Sequence, residues 1–238
     1  MSEASPEQIK IGFLIYPEVT ALDALGPAQI LSAVPGAVMH YVWKEKTPVA
    51  SDSGYTINPT HDYDDCPQLD VICVPGGFGQ VPLMNDEATL DFLRRQGAGA
   101  RYVSAVCTGS LLLGAAGLLD GYEASCHWAW HDQLALVGAK PVHNRVVRDR
   151  NRMTGGGVTA GIDFGLTMAA ELAGEDVAKL LQLSFEYDPQ PPFHGGHPTK
   201  ADPQTLELSK AFMAEAVASM AEAAKEAQAN KDKKAAAE

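Results

Sequence analysis

The sequence predicts an α/β domain built on a mostly parallel sheet, and three observations carry that prediction. Short apolar runs rich in valine and isoleucine alternate with helical patterns along most of the chain. The runs lack the apolar–polar alternation of a sheet with one wet face, so helices must cover both faces. With 238 residues and 46% hydrophobic content, the chain can bury one substantial core.

The elements follow in order. Residues 9–17 (IKIGFLIYP) read as a central strand ended by proline. In TALDALGPAQILSAV, Pro27 suits the first turn of a helix. The helix is therefore expected to begin at Pro27, with EVTALDALG as a structured loop. Residues 38–44 and 70–77 read as the second and third strands, the third closing on Gly76 and Gly77. DEATLDFLRRQ is an amphipathic helix with acids first and arginines last, as the helix dipole favours. RYVSAV is a fourth strand and TGSLLLGAAGLL its following helix. The segment around RDRN alternates as a hairpin does and ends in three glycines. Two more helical patterns follow, TAGIDFGLTMAAELAG and DVAKLLQLSFEY.

The proline- and glycine-rich DPQPPFHGGHP closes this core, giving a domain over residues 1–198. Residues 199–238 are a C-terminal helical extension with Leu206, Met213, Val217 and Met220 as its apolar stripe. After Ala221 the pattern thins into alanine, lysine and glutamate, so the end is expected to fray into a solvated tail.

Composition narrows the function. A net charge of -12 disfavours nucleic acid and anionic membranes as partners. The start, MSEASPEQ, lacks the basic-then-apolar order of a signal peptide. The longest apolar stretches are too short to span a bilayer, and a cytoplasmic protein is expected. Cys66, Cys73, Cys107 and Cys126 have irregular spacings that suit neither a disulfide scaffold nor a zinc site. Free thiols and no metal are expected. TGGGVTAG lacks the lysine of a phosphate loop, which argues against a bound nucleotide.

One thiol stands apart. Ala105-Val106-Cys107-Thr108-Gly109 places a cysteine between small residues where a strand becomes a helix. That is the pattern of a nucleophile elbow. The helix N-terminus would also favour a thiolate there. In parallel sheets ligands bind beyond the carboxyl ends of the strands. Cys107, the Gly76-Gly77 turn and the loop holding Asp23 all fall at such ends. Gly76 and Gly77 could permit a tight turn, bring backbone N–H groups close to a substrate, or both. His127, in SCHWAWHD, offers a Cys/His pair. Asp23 could cap the Pro27 helix or hold a turn. Trp128, Trp130 and Phe193 read as pocket or core.

Four motifs in order, GFLIYPEVTALDALGP, VPGG, AVCTGSLLLGAAGLLDG and RMTGGGVTAGIDFGLTMAAEL, resemble the DJ-1/PfpI superfamily over residues 9–190. The resemblance implies a flavodoxin-like three-layer sandwich, usually in a homodimer. Within the superfamily the chain is most similar to the isonitrile hydratases, which add water to R–N≡C to give an N-substituted formamide without metal or organic cofactor. On that resemblance Cys107 is the nucleophile and Asp23, facing it, the general acid and base. Thr108, Gly76, Gly77 and His127 line the substrate pocket. Protease-like members usually carry histidine after the cysteine, where this chain has Thr108. DJ-1-like members usually place glutamate where Asp23 stands. Both departures favour the hydratase over a protease or a deglycase. A glyoxalase or deglycase using the same thiol is the alternative enzyme. A redox- or ligand-sensing module is the alternative without catalysis. Similar domains occur fused to AraC-type DNA-binding domains, but residues after Pro203 supply one helix rather than a helix-turn-helix pair.

Overall fold

The computed structural model describes residues 8–237. The acidic start of the chain, expected to lack a leader's pattern, lies outside these residues apart from Gln8. The elements run β1 (Ile9–Leu14), α1 (Ala21–Leu31), β2 (Ala37–Val42), β3 (Val49–Ala50), β4 (Thr56–Ile57), β5 (Val71–Val74), α2 (Gln80–Leu83) and α3 (Glu87–Gly99). They continue with β6 (Tyr102–Val106), α4 (Gly109–Ala115), β7 (Glu123–Ala124), a 3-10 helix (His131–Val137), β8 (Lys140–Pro141), β9 (Val146–Asp149) and β10 (Arg152–Gly155). Three helices close the chain: α5 (Ala160–Ala173), α6 (Glu175–Ser184) and α7 (Pro203–Ala235).

The main sheet has the order β2-β1-β5-β6-β10-β9. All neighbours are parallel except β9, the hairpin partner of β10. Every residue of β5 is buried, and so are Phe13 and Leu14 of β1, as strands covered on both faces require. Helices α1, α5 and α6 pack together as one group, and α2, α3, α4, α7 and the 3-10 helix as another. The parallel strands therefore follow the doubly wound, flavodoxin-like order, sandwiched between two helical layers.

Two expectations are corrected. Helix α1 begins at Ala21, not Pro27, and carries Pro27 inside it. Tertiary partners start it early. The Ala21 N–H donates to Asp52 Oδ1 at 3.1 Å, and the Thr20 N–H to the Gly76 carbonyl at 2.9 Å. Pro27 lacks only the N–H that would have met the Asp23 carbonyl one turn back. EVTALDALG is thus largely helix, and Asp23 sits in the first turn.

The chain's end does not thin out at Ala221. Helix α7 runs to Ala235, with Met220, Ala223, Ala224 and Ala227 buried. The alanines that look featureless in sequence allow close approach to the body of the protein. Beyond them, Lys231 Nζ donates to Asp120 Oδ1 at 2.7 Å and to the Gly114 carbonyl at 3.1 Å. Lys234 pairs with Glu87 at 2.6 Å. The expected solvated tail is a docked helix. Met213, Val217 and Met220 of its stripe face the protein's own core, Met213 and Val217 packing against the buried cluster that includes Met220.

Candidate active site

Strand order reverses between β1 and β5, because the chain adds β2 on one side of β1 and β5, β6 and β10 on the other. The crevice at such a reversal is where open α/β sheets bind ligands. Asp23 follows β1, Gly76 and Gly77 follow β5, and Cys107 follows β6, so three distant segments converge at adjacent strand ends.

Cys107 is held in the left-handed region at φ 59°, a strained conformation for a residue with a side chain. Its N–H donates to the carbonyls of Gly155 (3.0 Å) and Gly156 (2.9 Å), which pins the turn. A Cβ on Gly109 would fall 2.0 Å from the Val74 carbonyl oxygen, so the elbow needs glycine there to let α4 start against the end of β5. The glycines of TGGGVTAG therefore support the cysteine directly.

Asp23 is fully buried. Its Oδ2 accepts from the Gly76 N–H at 2.9 Å, and Oδ1 is buried with no hydrogen-bond partner among the described residues. Burial pushes its carboxyl up to about 7, against the opposing pull of the Gly76 N–H and the neighbouring Cys107 thiol. Burial also pushes the Cys107 thiol well above its ordinary value, and the charges of Asp23 and Cys126 add to that. Backbone N–H groups of Val158 and Thr108 pull the other way and lose. The expectation of a thiolate favoured by the helix end is thus corrected. Burial and the facing carboxyl, itself pushed up to about 7, oppose the thiolate that the helix end would favour.

The glycine turn also differs from expectation. The Gly76 N–H serves Asp23, and the Gly77 N–H donates to Thr108 Oγ1 at 3.2 Å. Neither amide is left for a substrate; both hold the site together. Glycine is required at both positions. A Cβ on Gly76 would lie 2.7 Å from both Asp23 Oδ2 and Thr108 Oγ1. Gly77 has φ 143°, and its Cβ would lie 2.5 Å from the Glu18 carbonyl.

Sequence reasoning missed Gln80. It is fully buried behind Thr108. Its Nε2 donates to the Thr108 carbonyl at 2.8 Å, and its Oε1 accepts from the Thr108 hydroxyl at 3.3 Å. The same Nε2 lies 3.3 Å from Met220 Sδ, which brings α7 to the back of the site. Tyr16, also buried, donates to the Pro75 carbonyl at 2.8 Å. Gln80 sits in GGFGQ just past a strand, where no periodicity marks a residue as buried.

His127 packs against the glycine loop. A Cβ on Gly157 would lie 2.4 Å from its Cδ2. Nδ1 accepts from the Ala129 N–H at 3.2 Å, which puts the proton of the neutral ring on Nε2. Burial lowers its pKa to about 4, so the ring is neutral at pH 7. Trp130 is buried, with its ring centre 5.0 Å from that of His127. Trp128 and Ala129 face Met213 and Val217 of α7 across an open cleft of about 300 Å³. Phe193, expected in pocket or core, is 82% exposed and belongs to neither. Cys66, Cys73 and Cys126 are free; Cys126 is buried close enough for its charge to bear on Cys107, a proximity its lack of an elbow concealed.

Comparison with known proteins agrees with this architecture. The chain is 55% identical over 202 residues to the isonitrile hydratase of Pseudomonas putida, covering 85% of this chain and 89% of that one. It is 31% identical over 192 residues to the HTH-type transcriptional regulator GbdR of Pseudomonas aeruginosa, covering 75% of this chain and only 50% of the regulator. The crystal structure of a ThiJ/PfpI family protein from Pseudomonas syringae superposes with a TM-score of 0.90 at 42% identity, covering 94% and 97% of the two chains. Residues 9–171 match the DJ-1/PfpI family, the stretch that carries the reversal of strand order and the strained cysteine after β6. The chain belongs to the DJ-1/PfpI family.

Proposed function

We propose that the chain is an isonitrile hydratase, converting R–N≡C and water to R–NH–CHO. The observation that carries this reading is the 55% identity to the Pseudomonas putida enzyme over most of both chains. The buried thiol–carboxyl pair supports it chemically. The isonitrile carbon is electrophilic, and a thiol beside a carboxylate can attack it while giving up its proton.

In this reading Asp23, with a pKa of about 7, takes the Cys107 proton as sulfur bonds to carbon. It then delivers that proton to the same carbon, leaving a thioimidate, R–N=CH–S–Cys107. Asp23 next takes a proton from water and passes it to nitrogen as the resulting hydroxide adds to the carbon. Collapse of the tetrahedral adduct breaks the C–S bond and releases the formamide as Asp23 carries the adduct's hydroxyl proton to sulfur. One carboxyl acts alternately as base and acid, which needs a pKa close to the working pH. Thr108, fixed by Gln80, supports the reacting atoms, and the neutral His127 offers its Nε2–H to the pocket. No metal or organic cofactor enters the scheme.

The direct test is formamide production from p-nitrophenyl isocyanide by wild type and Cys107→Ala side by side. Product from wild type alone supports the reading; equal product from both overturns the covalent mechanism. Methylglyoxal consumption without isonitrile hydration would instead favour a glyoxalase. We also infer a cytoplasmic homodimer. Exposed Leu22 and Leu25 on α1 and Leu180 and Leu183 on α6 give the α1–α5–α6 layer an apolar face, and sedimentation velocity reads the mass. Among the described residues no helix is long and apolar enough to cross a membrane.

A further inference from the structure

His131, Asp132 and His143 lie away from the proposed chemistry and are brought together by the fold. His131 opens the 3-10 helix and is 2% exposed, yet among the described residues neither of its ring nitrogens has a hydrogen-bond partner. Its ring stacks on that of His143, with centres 3.7 Å apart and planes 18° from parallel. Its Nδ1 lies 3.9 Å from Asp132 Oδ1. One donor atom from each of the three residues lies within 4.8 Å of the others.

A buried imidazole with no partner is a cost the fold bears without return. From these observations we propose that His131, His143 and Asp132 form a binding site for a first-row divalent transition-metal ion such as zinc, cobalt or nickel. Imidazole nitrogen and carboxylate oxygen suit those ions, whereas calcium and magnesium prefer oxygen alone. The nearly parallel rings must open for their nitrogens to converge, and exposed His143 is the one with room to turn. The bound ion ties the start of the 3-10 helix to the loop after β8. That clasp closes beside Trp130, which caps the 3-10 helix and packs on His127. No sequence spacing announces the site, because His143 arrives only after the 3-10 helix and β8 have turned the chain back.

The test is titration of the full chain with cobalt(II), followed by visible absorption and by calorimetry, in wild type, His143→Ala and Asp132→Asn. The expected result is saturable 1:1 binding with ligand-field bands of nitrogen and oxygen donors and no sulfur charge-transfer band. His143→Ala should weaken binding roughly tenfold or more, and Asp132→Asn by less. Because His143 is exposed, that variant should melt with wild type in the absence of metal. Binding that is absent, that shows a thiolate band, or that survives His143→Ala unchanged overturns the proposal.

Discussion

Cys73 and Cys107 lie on adjacent strands and invite comparison. Cys73 sits inside β5, opposite Ser104 of β6, in regular extended backbone. Cys107 stands one residue past the end of β6, at φ 59°. Both are buried, and burial raises both thiols above their ordinary value, Cys73 to about 12. Thiol acidity at rest therefore does not separate them. What separates them is a backbone that turns one sulfur toward the strand ends, and a carboxyl at its side that titrates near pH 7.

The sharpest break in that comparison is to remove each thiol in turn. Cys107→Ala should cut formamide production by on the order of 10⁴-fold or more, as loss of a nucleophile does. Cys73→Ala should leave turnover intact and cost about 1 kcal/mol in denaturant unfolding. A loss of turnover in both would make the contrast one of stability alone.

Asp23→Asn comes next, with turnover expected to fall by about 10²–10⁴-fold. Its stability should move the other way. A carboxyl with a folded pKa of about 7 binds its proton more tightly folded than unfolded, where the value is about 3.9. Stability from this group is therefore full below about pH 4 and falls as pH rises to about 7, at about 1.4 kcal/mol per unit. Asp23→Asn should melt above wild type at pH 8, with the advantage vanishing toward pH 4. An unchanged difference across that range would mean the carboxyl is not held neutral by the fold.

The pH–rate profile is a gentler probe. kcat/KM should rise through about pH 7 as Asp23 becomes able to take the thiol proton, about tenfold between pH 6 and pH 8. A flat profile over that interval would separate the carboxyl from the rate. The smallest effects belong to the support behind Thr108. Gln80→Leu removes hydrogen bonds worth about 1 kcal/mol each and should lower kcat several-fold, more than it raises KM. Met220→Leu keeps the volume and loses only a weak sulfur acceptor, so its effect should be at most about threefold.

The parallel sheet, the RDRN hairpin and the elbow are legible because each rests on local pattern: apolar runs, alternation, small residues around Cys107. The loop of Asp23 is legible as part of the strand-end crevice, but the role of its carboxyl is legible only through family resemblance, since its own surroundings suggest a cap or turn. The early start of α1 was hidden because its partners, Asp52 and Gly76, lie far along the chain. Gln80 was hidden for the same reason, and so was the use of the Gly76 and Gly77 amides. An N–H looks equally available in any sequence; only the fold decides which oxygen claims it.

The contact between Met220 and Gln80 has a meaning in the order of synthesis. Asp23, Gln80 and Cys107 all leave the ribosome before Met220, and the strands that position them are complete by Gly155. The nascent chain can thus present its elbow and its carboxyl while the rear wall of the site is still missing. Final closure waits for α7, so a protein halted before residue 220 would carry the right chemistry on a foundation not yet laid.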